Sequence, residues 1–449
     1  MNSRPDTPAH EPLDPDAAPT RARFGVLAFL CSLSFVLYID RACIGKAAIP
    51  IREDLGLTEA QLGYALAAFT LAYGIFEVPT GWWGDRFGSR GVLARIVVWW
   101  SLFTALTGAA LGIGSLVAVR FLFGAGEAGA YPNAARVIAR WFPLANRGMA
   151  QGFMLTSAQV GAASAPPVAQ LLIDTVTWRG AFVVFGCLGF VWAAAFYYWF
   201  RDEPAEHPAV NEAEAELIER GRPAAPTTEH PPIPWRSILT SRNIWLLGLV
   251  QTCSSAIYYM FINWYPSYLE QGRGVSSQQA AWLSALVLAG AAIGCITSGY
   301  FNDRLARLTN FSPARFRYFG FAGTATAAVL LLLSVQAESA TATSFLAAAA
   351  CIGTMSQQAT FWSVTTEISG RHLGSVFGLM NSMGIPGAFG SVLFLGYFVT
   401  WMREEGYTGR GQWDPAFYVY AALLLVGACC WLLVDANRKI ADDERVPIE

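Results

Sequence analysis

Apolar runs of about 20 residues recur along the chain, and each is long enough to cross a bilayer as a helix. Charged residues make up 14% of the 449 positions and apolar residues 54%, whereas soluble domains carry about 25% charged residues. The pattern predicts an all-α membrane protein with twelve transmembrane helices. The predicted spans are 24–49, 59–81, 91–111, 115–139, 147–173, 180–200, 242–268, 279–301, 316–335, 342–366, 373–400 and 415–435.

A polar, proline-rich segment interrupts the apolar pattern after the sixth span. It divides the chain into two bundles of six predicted helices each, and this number suggests duplicated, pseudo-symmetric halves around a central site. The predicted parts are a disordered cytoplasmic tail (1–23), an N-terminal six-helix bundle (24–200), a cytoplasmic linker (201–241), a C-terminal six-helix bundle (242–437) and a cytoplasmic tail (438–449).

A short motif occurs at the same place in both halves. It reads Gly81-x-x-x-Asp85-Arg86 after span two and Gly299-x-x-x-Asp303-Arg304 after span eight. Glycine permits close helix contact, and an aspartate can cap a neighbouring helix or pair with a basic loop residue such as Arg90. The repeat predicts a conformational latch made of Gly81, Asp85, Arg86, Arg90, Asp303 and Arg304. The alternative is a polar turn without a role in conformational change.

The basic residues are sorted to one side of the predicted membrane. Most of the 30 Lys and Arg residues lie in segments that are cytoplasmic if the N-terminus is inside. Because cationic loops resist translocation, the bias predicts a multi-pass inner-membrane protein with both termini in the cytoplasm. The basic residues on the opposite side are Arg52, Arg179, Arg273, Arg403 and Arg410.

The first span carries two adjacent charges, Asp40 and Arg41, and a charge inside a bilayer is a functional candidate by default. Tyr38 and Arg41 share a helical face, because they stand three residues apart. We expect Arg41 to bind a substrate carboxylate with help from Tyr38. Asp40 points about 100° away, where it can take up a proton. The alternative is a structural ion pair between Asp40 and Arg41.

The fourth span carries Arg120, Gly124, Glu127 and Tyr131 as a narrow stripe on one helical face. Burial disfavours the charged form of a carboxylate, while nearby cations favour it. A carboxyl group balanced between these effects can load a proton on one side and release it on the other. We therefore predict that Glu127 couples transport to protons. The alternative is a static Arg120–Glu127 bridge, although the two residues lie about two helical turns apart.

Uncharged polar residues complete the predicted cavity, and hydroxyls and amides suit a polyhydroxylated ligand. They are Tyr73, Gln159, Gln251, Tyr259, Trp362, Ser363 and Asn381. Each can instead join helices to one another. Two more charges are ambiguous. We expect Lys46 to snorkel to the outer interface rather than meet a second substrate carboxylate. We expect Glu77 to pair with inner-loop arginines rather than line the pocket.

Taken together, these motifs resemble the Major Facilitator Superfamily, and within it the anion:cation symporter family of galactonate, hexuronate, glucarate and phthalate carriers. The resemblance runs from about residue 24 to 437. Its most specific pieces are Tyr38-Ile-Asp-Arg41, Gly81-Trp-Trp-Gly-Asp-Arg-Phe-Gly-Ser-Arg90, Arg120-x6-Glu127, Arg140-Trp-Phe-Pro143 and Asn263-Trp-Tyr-Pro266.

This resemblance implies proton-driven uptake. Arg41 would bind the carboxylate, Asp40 and Glu127 would carry protons, and Arg120 would support Glu127 or the anion. Tyr73, Gln159 and Asn381 would line the cavity. Lys46 and Glu77 depart from the pattern of the family, and span seven lacks the arginine of the vesicular glutamate carriers.

We therefore predict a proton-coupled symporter of a small organic anion, a hexonate, hexuronate or aldarate by class, working by alternating access. An aromatic or dicarboxylic acid is the nearest alternative. A drug/proton antiporter fits Arg41 and Arg120 less well, because it would need an acidic pocket for cations.

A nutrient sensor would normally add a signalling domain, and nothing here resembles the catalytic dyad of an intramembrane enzyme. The eight cysteines lie in apolar runs without metal-ligand spacing. We expect no disulfide, metal, cofactor or nucleic acid. The expected partners are the anion, protons and the lipid bilayer, and we expect a monomer driven by the proton gradient.

Overall fold

The computed structural model describes residues 18–219, 235–308, 314–369 and 373–435, and these residues contain helices but no strand. The helices are α1 (Ala22–Leu55), α2 (Glu59–Phe87), α3 (Ser89–Thr107), α4 (Ile113–Glu127), α5 (Ala130–Trp141), α6 (Leu144–Trp199), α7 (Glu212–Glu219), α8 (Trp235–Thr240), α9 (Arg242–Asn263), α10 (Tyr265–Ser267), α11 (Ser277–Leu308), α12 (Ala314–Gln336), α13 (Ala340–Ser369), α14 (Leu373–Ser382), α15 (Ile385–Glu404) and α16 (Arg410–Leu433). A 3₁₀ turn covers Pro204–Glu206, and a π-helical segment covers Tyr268–Gly272.

These helices provide the twelve predicted membrane spans and confirm the fold class. Span four is α4 followed by α5, and span eleven is α14 followed by α15. The long helix α6 holds spans five and six, which are separated by non-helical backbone at Val176 and Thr177. Among the described residues, eight helical stretches are long and apolar enough to span a membrane, and one of them contains both spans of α6. Helices α2, α3 and α13 complete the twelve.

The connection between α1 and α2 shows how local sequence sets a tight hairpin. Gly56 ends α1 in the left-handed conformation, with φ of 62°, which glycine adopts without a steric penalty. The side chain of Thr58 then accepts a hydrogen bond from the backbone N–H of Gln61 (3.2 Å). The Gln61 side chain accepts one from the N–H of Thr58 (2.9 Å), which completes a capping box at the start of α2.

The two halves repeat one packing plan. In the first half α1 packs on α6 and α2 on α4, while in the second half α9 packs on α15 and α11 on α13. Gly124 of α4 lies against the backbone carbonyl of Phe69 in α2, where a Cβ would clash. Gly290 of α11 lies in the same way against the carbonyl of Ala348 in α13. Small residues at equivalent crossings therefore let both helix pairs approach closely.

The halves meet where α1, α2 and α6 pack against α9, α11 and α15. They are joined firmly at one end of the bundle, where Gly56 connects α1 to α2. We call this the distal end, because residues 18 and 435 lie at the opposite end. There the buried Glu59 accepts a hydrogen bond from Arg403 of the other half (Nη1–Oε2, 2.8 Å) and pairs with Arg52. The backbone N–H of Ala60 also donates to the Thr400 hydroxyl (3.1 Å). The distal end is closed.

Two acidic residues of the segment after α6 cap helices of the first half. The Asp202 carboxylate accepts hydrogen bonds from the backbone N–H groups of Ser89 and Arg90 (2.7 and 3.0 Å) at the start of α3. Glu214 of α7 accepts from the N–H groups of Ala22 and Arg23 at the start of α1 (3.1 and 3.2 Å). A carboxylate at a helix N-terminus satisfies free donors and opposes the helix dipole, so this segment belongs structurally to the first half.

Candidate functional site

The centre of the molecule holds a buried ion pair between Arg41 of α1 and Glu127 of α4. The Nε of Arg41 lies 2.9 Å from the Oε1 of Glu127, and its Nη2 contacts the same oxygen. Arg41 is 7% exposed and Glu127 1% exposed. Helix α4 ends at Glu127, and α5 begins at Ala130. Glu127 therefore pairs across helices at the break in span four, rather than with Arg120 of its own helix.

Aromatic rings surround the Arg41 guanidinium. Its central carbon lies 5.0, 5.2 and 4.9 Å from the ring centroids of Tyr38, Phe69 and Tyr73. Tyr131 of α5 packs edge-on against Tyr38 at 6.5 Å. Ring faces stabilise a cation that has lost water, so the charge can remain on Arg41 at this depth. Tyr38 contacts Arg41 through its ring, as its position three residues earlier on the helix allows, and its help in binding a substrate carboxylate stays a prediction.

Asp40 faces away from Arg41, towards α3 and α4. Its carboxylate lies next to the side chains of Trp100 and Thr104 and within electrostatic range of Arg120. Asp40 is 1% exposed, and neither of its oxygens has a hydrogen-bond partner among the described residues. An ion pair between Asp40 and Arg41 is therefore not what holds these charges. Trp100 and Thr104 place donors beside the carboxylate, but their hydrogen bonds to it are not closed. A buried carboxylate with incomplete hydrogen bonds is costly, which marks Asp40 as a functional candidate.

Arg120 lies behind the central pair. It is 1% exposed, and its guanidinium carbon lies 5.1 Å from the ring centroid of Phe69 and 4.5 Å from that of Phe123. Its electrostatic neighbours are Cys43, Glu127, Arg41 and Asp40. The Phe69 ring is therefore shared by both arginines. Arg120 is placed to influence the carboxylates of both Asp40 and Glu127.

The second half adds neutral polar groups to the same region. The hydroxyl of Tyr258 in α9 donates to the Oε1 of Gln159 in α6 across the interface (2.8 Å). The next residue, Tyr259, lies within electrostatic range of Arg41. Closer to the chain ends, the Nε2 of Gln358 donates to the Oε1 of Gln251 (3.1 Å). The Tyr258–Gln159 contact links the halves, while the Gln251–Gln358 contact joins α9 to α13 within the second half.

Asn381 lies near the end of α14 and crosses the interface to Glu77 of α2. Its Nδ2 donates to the Oε1 of Glu77 (3.0 Å). Glu77 stands four residues, about one helical turn, beyond Tyr73 on α2. Because Arg86 and Arg304 lie outside the described side chains, pairing with inner-loop arginines stays a prediction for Glu77. Its partner is an amide of the opposite half, and it borders the central site.

The sequence matches one large transporter family over most of both halves. A profile of the Major Facilitator Superfamily matches residues 30–391. The chain belongs to the Major Facilitator Superfamily.

Several members of this superfamily are similar to the chain over most of its length. The probable sulfoacetate transporter SauU of Cupriavidus necator is 32% identical over 419 residues, covering 92% of this chain and 94% of the relative. The probable galactarate/D-glucarate transporter GudP of Bacillus subtilis is 32% identical over 65% of this chain and 67% of its own. The D-galactonate transporter of Escherichia coli O6:H1 is 28% identical, and the alignment covers 94% of this chain and 98% of the relative. The predicted resemblance is thereby confirmed.

The fold agrees with a solved member of the Major Facilitator Superfamily. A bacterial homologue of the human lysosomal transporter Spinster, crystallised in an inward-facing and unoccupied conformation, aligns with a TM-score of 0.76. The alignment covers 92% of this chain and 97% of that one, at 20% identity. Fold and relatives are those of transporters and not of enzymes, as predicted.

Most residues of the predicted conformational latch lie outside the described side chains. This applies to Gly81, Asp85, Arg86, Asp303 and Arg304, and also to the predicted cavity residues Trp362 and Ser363. Arg90 is described: its Nε donates to the backbone carbonyl of Tyr197 (2.8 Å), and its guanidinium lies over that tyrosine ring (4.6 Å). Arg90 therefore holds α3 to α6 within the first half.

The distal end contains an ion pair that sequence reasoning missed. Lys46 of α1 is 3% exposed and pairs with Glu270 of the second half. Glu270 also accepts a hydrogen bond from Ser277 (2.6 Å). The expectation that Lys46 snorkels to the outer interface is wrong, because a partner 224 positions along the chain neutralises it. The only sequence signal was the presence of an isolated acidic residue beyond span seven.

A groove of about 820 Å³ lies between α6 and α11, away from the central pair. Leu171 and Trp282, which line it, are each 63% exposed, so the groove faces outward from the bundle. It contains none of the predicted site residues. Among the described residues, no cluster of three or more His, Cys, Asp or Glu side chains is placed to hold a metal ion.

Proposed function

We propose that this chain imports a small organic anion, a sugar acid by class, together with protons by alternating access. The protein would lie in the inner membrane with both termini in the cytoplasm, so that the closed distal end faces outward. Sugar-acid carriers among the relatives support the class of substrate. The sorting of basic residues to the other side supports the orientation.

One observation carries the proposal: the cation suited to bind an anion is already occupied by the carboxylate of Glu127. The carboxylate of Glu127 and that of the substrate cannot both bind the same N–H donors of Arg41 at full strength. A proton on Glu127 would weaken its hold on Arg41 and free the guanidinium for the substrate. Proton and anion binding would then favour each other by the same factor, as linkage requires.

Asp40 would serve as a second proton site. It faces α3 and not Arg41, and its oxygens close no hydrogen bond with the described residues. A proton there would remove the cost of a buried charge without touching the substrate. Arg120, within electrostatic range of both carboxylates, would set how readily each accepts its proton. Rocking of the halves would expose these groups alternately to the two sides.

The test uses purified protein in liposomes with a pH-sensitive dye inside. An inward proton gradient should drive accumulation of a hexonate, and uptake of the hexonate should acidify the lumen. Glu127→Gln should abolish accumulation but retain exchange of hexonate across the membrane, because its neutral side chain mimics the protonated state. Gradient-driven accumulation by Glu127→Gln at the wild-type level would refute the coupling role.

A second candidate substrate is a short dianion such as sulfoacetate. The similarity to the probable sulfoacetate transporter of Cupriavidus necator over 92% of the chain favours it. Including sulfoacetate, glucarate and galactarate in the same uptake screen separates the two substrate classes.

A further inference from the structure

Glu77 stands beside the central site, and the proposed function gives it no role. It lies one helical turn beyond Tyr73, whose ring contacts Arg41. Its side chain is partly buried and holds Asn381 across the interface at 3.0 Å. Glu77 is thus a third acidic residue near the central site, besides Asp40 and Glu127, and it is hydrogen-bonded to the second half. Its charge affects which ligands can bind between the halves.

The Glu77–Asn381 contact fixes the direction of the amide. An ionised carboxylate only accepts hydrogen bonds, so Asn381 must turn its NH₂ group towards Glu77. Its carbonyl oxygen is then left as an acceptor. A carboxylate can accept about four hydrogen bonds, and Asn381 uses only one position. This end of the site therefore offers acceptors and a negative charge, which suit the hydroxyl groups of a ligand.

Lys46 and Arg120, the other two cations of the first half that the structure places deep inside the bundle, do not balance a second negative charge at this point. Lys46 pairs with Glu270 at the distal end. Arg120 lies behind Phe69, among Cys43 and the carboxylates of the first half. A dianion with one carboxylate on Arg41 would therefore bring its second charge towards Glu77, where neither Lys46 nor Arg120 can receive it.

We propose that Glu77 makes this carrier selective for monoanions with a hydroxylated tail, that is, for hexonates or hexuronates over aldarates and sulfoacetate. The inference rests on the proposed function and narrows its substrate class. Arg41 binds the single carboxylate, and Glu77 with Asn381 accepts hydrogen bonds from the tail. Glu77 repels a second carboxylate or a sulfonate at that end.

The test compares ligands that differ by one charge on the same skeleton. Galactonate and galactarate compete for uptake of labelled galactonate in proteoliposomes, with sulfoacetate as a short dianion and hexanoate as a monoanion without hydroxyls. The wild-type protein should bind galactonate at least about tenfold more tightly than galactarate, which is about 1.4 kcal/mol. It should also bind hexanoate and sulfoacetate more weakly than galactonate.

Glu77→Gln should raise the affinity for galactarate relative to that for galactonate by about tenfold or more, because glutamine still accepts hydrogen bonds from the hydroxylated tail but carries no charge. Glu53→Gln, at an exposed distal position, is the matched control and should change neither. The wild-type ratio requires no variant, so it tests the inference even if Glu77→Gln does not fold.

Three outcomes would overturn the inference. The first is a wild-type preference for galactarate or sulfoacetate. The second is an unchanged ligand ratio in folded Glu77→Gln. The third is galactarate binding that strengthens as the pH falls in the wild-type protein but not in Glu77→Gln, since Glu77 would then carry a proton with a dianion. Transport of galactonate with an unchanged ratio refutes only the role of Glu77, whereas transport of no organic acid at all refutes the proposed function as well.

Discussion

The two halves of this transporter share one packing plan but contribute different chemistry to the interface between them. In the first half, charged side chains meet at the centre, with Arg41 paired to Glu127 and with Asp40 and Arg120 beside them. The second half places tyrosines and amides opposite these charges, including Tyr258, which bonds to Gln159. One half holds the ionisable groups, and the other provides neutral contacts to them.

This division affects how easily the halves can separate. Neutral hydrogen bonds contribute about 0.5–1.5 kcal/mol each, so the contacts at the centre can break and re-form during rocking. Removing one partner of a buried ion pair costs about 3–5 kcal/mol, because the other charge is left buried and unpaired. The Arg41–Glu127 pair lies within the first half, so separation of the halves does not by itself require this pair to break. At the distal end, by contrast, the Lys46–Glu270 pair crosses the interface and stabilises closure.

The largest effect should come from removing the central cation. Arg41→Gln should weaken binding of a hexonate by about 100-fold or more, because losing one partner of a buried charged contact costs about 2–5 kcal/mol. The measurement is ligand-induced stabilisation of the purified protein.

The double variant Arg41→Gln/Glu127→Gln controls for the unpaired carboxylate that Arg41→Gln leaves behind. It should regain thermal stability without regaining binding. Recovery of hexonate binding in the double variant would show that the second half can bind the anion without the guanidinium, and the comparison of the halves would fail.

A smaller effect is expected at Asp40. Asp40→Asn should reduce proton-driven accumulation by about tenfold, whereas hexonate affinity changes by less than about threefold, because Asp40 faces α3 and not Arg41. Transport under a pH gradient and equilibrium binding measure the two quantities separately. A loss of affinity as large as the loss of accumulation would instead place Asp40 at the ligand.

The distal ion pair should affect conformation more than binding. Lys46→Met leaves Glu270 without its partner, so closure of the distal end should weaken by several-fold in equilibrium constant. A cysteine in place of exposed Glu53 cannot report this change. A cysteine in place of Gly63, whose Cβ would lie 3.1 Å from the carbonyl of Val392, can report it when the variants and their parent share this substitution and lack the exposed Cys187 and Cys429. We expect faster labelling there.

The pair Lys46→Met/Glu270→Leu removes both charges and should restore part of the closure. If neither variant changes the labelling rate at Gly63, the Lys46–Glu270 contact does not stabilise the closed distal end.

The smallest effect should come from the second half. Tyr258→Phe removes one neutral hydrogen bond to Gln159, so hexonate affinity should fall by roughly two- to tenfold. Tyr420→Phe is a matched control, because its hydroxyl bonds to Ser391 within the second half and should leave affinity unchanged. A loss at Tyr258 equal to that at Arg41 would erase the difference between the halves.

Much of the fold was predictable because hydrophobic length and the positions of isolated charges are local features of the sequence. The twelve spans followed from apolar runs, and the importance of Arg41 and Glu127 followed from the cost of charge in a bilayer. Their pairing did not follow, because it depends on how α1 packs against α4. Lys46 was misread for the same reason, since an interfacial lysine and a paired lysine look alike until a distant Glu270 is placed beside it.

The helix caps had an equally non-local origin. Neither α1 nor α3 carries a side-chain cap of its own at its N-terminus, and the acceptors come from Asp202 and Glu214 far along the chain. The sequence suggested that an aspartate caps a helix near the Gly81 motif. It could not indicate that the aspartate would come from the segment after span six.

Those caps also bear on the mechanics of the chain. Because Asp202 and Glu214 bind the segment after α6 to the first half, the covalent connection between the moving bodies begins only after Glu219 and reaches Trp235 at the start of α8. A peptide of that length, residues 220–234, spans at most about 50 Å. Fifteen residues therefore set an upper limit on how far the end of α7 and the start of α8 can move apart, and they keep the two halves as neighbours throughout transport.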